Sequence, residues 1–101
     1  MAMVKRVAVC GGSGDSLLGA ANASGADVYV TSDLKHHSVS EHIADGGCAI
    51  LDVAHFASEF PWCELVARRL AHAFADGSDT VSVIVSRIVT DPWTQHLRST
   101  S

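Results

Sequence analysis

The chain has no cysteine couple, no basic run and no long apolar stretch, and each gap removes a class of protein. Cys10, Cys48 and Cys63 lie far apart and form no C-x-x-C pair. That argues against a disulfide-stapled secreted scaffold and implies reduced, mostly buried thiols of a cytosolic protein. Lys and Arg number 7 against 11 Asp and Glu, for a formal net charge of −4. Such a balance offers nothing to draw nucleic acid or an anionic membrane electrostatically. The longest apolar runs are strand-sized, too short to span a bilayer. Lys5 and Arg6 precede no sustained apolar region with a cleavage site, so no secretory signal is evident. The expected location is the cytoplasm.

What is present is core-forming material. Hydrophobic residues make up 48% of the 101 positions, enough for a packed interior and against disorder. The length allows one domain, a single α/β unit over 1–101.

Strand and helix alternate along the chain. Val7 to Cys10 has the unbroken apolar character of a buried strand. Gly11-Gly12-Ser13-Gly14 turns, and Asp15 or Ser16 is placed to cap a helix that runs to about Ser24 and stops at Gly25. Val28 to Val30 is a second strand, and Thr31 to His37 a polar loop. Ser38-Val39-Ser40-Glu41 fits a capping box opening a short helix that ends at Gly46-Gly47. Cys48 to Leu51 is a third strand. Trp62, Val66, Leu70, Ala73 and Phe74 recur at helical spacing and predict a buried stripe on a helix from about Ser58 to Ala75, with Pro61 in its first turn. Val81 to Val85 alternates as a last strand, at an edge or on a side covered by another chain. Helical crossovers between short strands imply an α/β fold with a mostly parallel sheet and helices on its faces.

The most informative stretch is Asp52-Val53-Ala54-His55-Phe56-Ala57-Ser58-Glu59, where the third strand gives way to a helix. Ligand chemistry in open α/β proteins gathers beyond the carboxyl ends of strands. Imidazole and carboxylate hold first-row metals with positions left open for water or substrate. On spacing alone, an exposed helical pair explains His55 and Glu59 better than a ligand pair. The Gly11–Gly14 turn resembles a dinucleotide loop only partly, since Leu17 stands where its third glycine would be. A tight turn needing glycine dihedrals explains it better, and a nucleotide at this turn is a third, weaker functional reading. His36 reads as a solvated loop residue. His37 and Glu41 form an H-x-x-x-E pair, but Glu41 already serves the capping box. His42, His72 and His96 have no clustered partners and read as surface histidines.

Four segments together resemble one known family, the NIF-three-like dinuclear metal-centre proteins, some of them named GTP cyclohydrolase 1 type 2. They are Val7 to Gly14, Gly25 to His37, Asp52 to Glu59, and Thr90-Asp91-Pro92-Trp93, in the family's order and at similar spacings. The resemblance is to the carboxyl-terminal half, because family members are usually more than twice this length. It implies that the missing amino-terminal half brings a histidine pair and an aspartate, while His55 and Glu59 complete a site for two divalent ions. Zn, Fe, Mn and Co all suit such ligands. It also implies that Asp33, Lys35 and His37 line the site without binding metal. Two positions depart from the family pattern: Ala54 and Ser32 stand where glycine is usual.

The implied activity is metal-assisted hydrolysis, with this chain inactive alone because three of five ligands lie elsewhere. Whether the chain acts as an enzyme at all is left open by its residues. The alternative is a non-catalytic interaction or scaffold module in a ring-shaped homo-oligomer. On either reading Asp33, His37, His55 and Glu59 should converge at one end of the sheet, because they follow the ends of the second and third strands.

Overall fold

The computed structural model describes residues 3–77 and 80–99. Three strands, β1 (Val7–Ser13), β2 (Val28–Ser32) and β3 (Ala49–Asp52), form a parallel sheet in the order β1-β2-β3. A 3-10 turn (Asp15–Leu17) and α1 (Leu18–Ala23) connect the first pair, and α2 (His36–Ala44) the second. The long α3 (His55–Ala73) follows β3. The α/β class, with a parallel sheet, is as the alternation predicts.

β2 is central, so its side chains are buried where those of its neighbours are not. Val28, Tyr29 and Val30 pair with Val7, Ala8 and Val9 on one side and with Ala49, Ile50 and Leu51 on the other. Tyr29 packs with Leu18 and Ala21 of α1, and Ala8, Cys10, Leu34, Cys48 and Ile50 surround them. Residues of the opposite parity, Val9, Gly11 and Val30, line a cleft with Ala57 and Ser58 of α3. α3 therefore crosses the other face of the sheet, and only with its first turns. The Cα radius of gyration is 18.0 Å, against roughly 13 Å for a compact domain of this length. The excess comes from α3 and the chain beyond it, which reach past the sheet.

Several local expectations are corrected. Neither Asp15 nor Ser16 caps α1, whose start has no side-chain cap. Asp15 instead binds the start of α2, accepting the Lys35 N–H and the Ser38 hydroxyl at 3.0 Å each. Those bonds hold its carboxyl below the usual range, the Lys35 N–H foremost. With Ser38 so engaged, no capping box forms, and α2 begins at His36 with Lys35 as its N-cap, ahead of the expected cap at Ser38. α3 begins at His55 rather than Ser58, and the Ser58 N–H already donates to the Ala54 carbonyl at 2.9 Å. Pro61 thus falls inside the helix, and the exposed Ala57 carbonyl loses its helical donor. The stripe on α3 is not buried: Trp62, Leu70 and Phe74 are exposed, Leu70 to 41%. Truncating Leu70 here costs well under the ~2–5 kcal/mol of a core leucine. Val81 to Val85 joins no sheet among the described residues. The three thiols are free, as expected, but half-buried.

His42 is the clearest reversal, buried to 6% exposure. Asn22 Oδ1 accepts the Cys48 N–H at 3.0 Å, which turns its Nδ2 toward His42 Nδ1 at 3.2 Å. His42 Nε2 then donates to the Cys48 carbonyl at 2.8 Å. One neutral imidazole ties α1, α2 and the start of β3 together. His72 and His96 are exposed, as the sequence suggests.

Two glycines are sterically required by this packing. A Cβ at Gly47 would fall on the His42 ring, and one at Gly14 on the Tyr29 and Thr31 hydroxyl oxygens. Gly19, inside α1, has nothing within 4 Å. Gly47→Ala and Gly14→Ala are each expected to cost about 1–3 kcal/mol as overpacking. Gly19→Ala should be neutral or add up to about 1 kcal/mol through helix propensity. Thermal melts of the three variants check this ranking.

Candidate functional site

The site begins with how β2 ends. The Tyr29 hydroxyl donates to the Gly14 carbonyl at 2.8 Å. Thr31 Oγ1 lies 2.9 and 3.1 Å from the carbonyls of Cys10 and Gly12. These bonds clamp the glycine turn against β2 where the register of β1 shifts, and the Gly14 carbonyl also accepts the Leu17 N–H at 3.1 Å. The Ser32 hydroxyl bonds Ser58 at 3.2 Å, and Ser58 in turn bonds the His55 carbonyl. The first turn of α3 is thereby pinned to the end of β2.

Asp33 follows, with φ of 53°, in the left-handed region that aspartate tolerates better than most residues. Its Oδ2 lies 2.6 Å from His55 Nδ1. One helical turn beyond His55, Glu59 Oε1 lies 3.0 Å from His55 Nε2. Gly12, at φ of 72°, passes directly beneath: a Cβ there would sit 3.0 Å from Glu59 Oε1 and 3.4 Å from His55 Nε2. Only glycine lets β1 come this close.

The imidazole therefore has a carboxylate at each nitrogen. A neutral ring has one N–H and one lone pair. If Nδ1–H donates to Asp33, the Nε2 lone pair faces a carboxylate oxygen, an arrangement that needs a proton or another cation between them. The electrostatics agree: the Asp33 hydrogen bond, with Glu59 adding to it, raises the His55 pKa above its ordinary value of 6.5. Nε2 and Oε1 are a nitrogen–oxygen pair whose separation suits one divalent ion at ordinary bond lengths of about 2.0–2.2 Å. The chemistry of the donors thus fits a metal. Among the described residues, though, no group of three His, Cys, Asp or Glu side chains is arranged to hold one.

Of the residues singled out from sequence, Asp33, His55 and Glu59 come together. Lys35 and His37 lie beside them in the chain but outside these bonds. The Lys35 N–H serves Asp15, and His37 is exposed in the first turn of α2, near enough for its charge to act on Asp15. Glu41 is exposed on α2. The two departures from the family pattern cause no distortion. Ala54 has φ of −60°, open to any residue, and Ser32 uses its hydroxyl to hold Ser58.

Sequence reasoning did not single out Gly12, Asp52, Trp62 or Trp93 as site residues. Gly11, Ser58, Glu59 and Trp62 line a cleft of about 450 Å³. Asp33, Asp52, Val53 and Ala54 line a second, of about 470 Å³, under Trp93 and Gln95. The Asp91 carboxylate accepts the Trp93 N–H at 3.0 Å and so fixes the turn carrying the indole. Asp52 and Trp93 could have been found, since each belongs to a segment that carries the family resemblance.

Residues 1–92 match the Duf34/NIF3 family, described as NGG1p interacting factor 3. A "GTP cyclohydrolase 1 type 2 homolog" of Streptomyces coelicolor is 50% identical over 98 residues, covering 97% of this chain and 34% of that protein. One from Mycobacterium tuberculosis is 50% identical over 91 residues, covering 90% of this chain and 23% of its own length. Among solved structures, a Bacillus cereus protein related to NIF3 superposes with a TM-score of 0.84 at 31% identity, over 92% of this chain and 25% of that one. The chain thus spans about a quarter to a third of the relatives it matches.

The paired carboxylates set a pH prediction. His55 should titrate above 6.5 in metal-free protein, and Asp33→Asn should bring its midpoint down, as read from imidazole chemical shifts. Because the folded pKa is the raised one, this interaction stabilises the fold fully below about pH 6.5 and is lost as pH rises through the higher, folded value. A midpoint unmoved by Asp33→Asn would show that the 2.6 Å bond is not what holds the proton.

Proposed function

The chain belongs to the Duf34/NIF3 family, and from that premise we propose that it is the carboxyl-terminal part of a metal-dependent hydrolase, supplying half of a two-metal site. The observation that carries this reading is His55 held between two carboxylates, with Nε2 and Glu59 Oε1 3.0 Å apart at the carboxyl end of the sheet. His55 and Glu59 would hold divalent metal. Asp33 fixes the ring and its tautomer through Nδ1, as outer carboxylates do for metal-bound histidines. Gly12 leaves the space, and Lys35 and His37 border it. A divalent ion there supplies Lewis acidity and lowers the pKa of water. The remaining ligands come from the part of the protein absent from this chain, in keeping with relatives three to four times longer. The two clefts beside the trio are of a size to take a small molecule. The relatives' printed name would make that molecule a guanosine nucleotide. A homo-oligomer in the cytoplasm completes the proposal. No described helix is long and apolar enough to cross a membrane.

A second reading has its own observation. Trp62, Leu70, Phe74, Ile84 and Ile88 are all exposed, more apolar surface than a free-standing domain usually shows. That favours an assembly role, in which the metal would be structural. Open water positions on bound metal support the hydrolase, and full protein coordination supports the scaffold.

The experiment is metal analysis of the full-length protein and its variants after dialysis. His55→Ala and Glu59→Ala should each lower metal content several-fold, with melting temperatures of the metal-free proteins little changed, because neither side chain is buried. The 101-residue chain alone should retain only substoichiometric metal. Unchanged metal content in both variants, or two ions held tightly by the isolated chain, would overturn the assignment.

A further inference from the structure

Gly11 is a glycine that the fold does not require. It lies inside β1, and a Cβ there would meet nothing within 4 Å among the described residues. Its neighbours differ: a Cβ at Gly12 would press on Glu59, and one at Gly14 on Tyr29 and Thr31. The register of β1 does shift between Val9 and Ser13, but the left-handed backbone of that stretch is at Gly12, with φ of 72°, and not at Gly11. Glycine weakens a strand, and one with neither a steric nor a dihedral need marks a place where something else comes close to the backbone. Gly11 lines the cleft of about 450 Å³ whose other walls are Ser58, Glu59 and Trp62.

Trp62 is brought to the same cleft by helical spacing. It follows Glu59 by three residues and so shares that side of α3. Its indole is 64% exposed. The Ser58 hydroxyl proton is spent on the His55 carbonyl, which leaves the Glu59 carboxylate as the charged group of the cleft. A flat apolar face beside a carboxylate suits an uncharged ring carrying N–H groups and disfavours a phosphate. The cleft under Trp93 also has an indole, but Asp33 and Asp52 both line it. Asp33 lies at His55 Nδ1, whereas Glu59 lies at Nε2, so the two clefts meet the imidazole through different nitrogens.

We propose that Gly11 and Trp62 form a stacking slot for the flat, uncharged ring of a nitrogen heterocycle, the base end of a nucleotide-like ligand. The missing side chain at Gly11 lets the ring approach the β1 backbone, and the Trp62 indole stacks on it. Every nucleobase presents a π-face, so stacking supplies affinity without demanding one base. Glu59 then stands between the slot and His55, and the charged end of the ligand lies on the His55 side. The proposal rests on the hydrolase reading for what happens at that charged end, and on Gly11 and Trp62 for where the ring sits.

Calorimetric titration of the full-length protein with GMP and with ribose 5-phosphate tests this, since the two probes differ by the base alone. GMP should bind the tighter of the two. Gly11→Val and Trp62→Ala should each weaken GMP binding by about five-fold or more, the low end of what stacking one base on an aromatic side chain is worth. Trp62→Phe, which keeps an aromatic face, should recover most of that loss. Ribose 5-phosphate binding should stay as it is in all three variants. Gly11→Val should melt no lower than the unmodified protein, because valine suits a strand and the space is open. GMP binding no tighter than ribose 5-phosphate, or GMP affinity unmoved in Gly11→Val and Trp62→Ala, would overturn the slot. So would a loss confined to Trp93→Ala, which would put the ring in the other cleft. A lower melting temperature for Gly11→Val would also overturn it, by showing that the full-length chain fills the space itself. Metal content in His55→Ala and Glu59→Ala scores the metal reading separately, so either can fail while the other stands.

Discussion

The hydroxyls at the end of β2 are what the site hangs from. Tyr29 and Thr31 are nearly inaccessible, and their hydroxyls bond the carbonyls of Gly14, Cys10 and Gly12. With the turn held there, Gly12 can pass under Glu59 and His55, and Ser32 can reach Ser58 at the foot of α3. Loss of the clamp would free both sides of the trio together.

His55 sits in a deliberately unbalanced position. Its ring faces carboxylates at both nitrogens while remaining 44% exposed. An exposed ion pair of this kind contributes little stability. The left-handed backbone at Asp33 is a small cost of its own, and strain of that kind gathers at functional sites. An arrangement that gains little as structure, yet is held by several buried bonds, makes sense when a cation is to be received there. On the proposed reading a metal ion would compete with the proton for Nε2, so metal uptake would be weaker where the raised pKa keeps the ring protonated.

The two faces of the sheet are covered unequally. A parallel sheet ordinarily has helices over both faces. Here α1 and α2 cover one, and α3 only begins to cover the other. The outer side of α3 is exposed, and Val81–Val85 joins no sheet among the described residues. The helical period groups apolar residues on one side of α3, but Trp62, Leu70 and Phe74 stay exposed, so the period did not decide burial.

The sequence by itself determined the local grammar: three strands, the helices between them, and the pairing of His55 with Glu59, since one helical turn brings residues four apart together. Family resemblance in the same residues drew Asp33 into the site. Tertiary structure decided what depends on atoms distant in the chain. Asp15 left its own helix because α2 presented the Lys35 N–H and the Ser38 hydroxyl. His42 was buried because Asn22 and Cys48 converge on both its nitrogens. Val81 to Val85 joins no sheet among the described residues, because strand pairing is a property of two segments and composition reports on only one. Periodicity records which side of an element is apolar, but the chain that covers that side is settled only by packing.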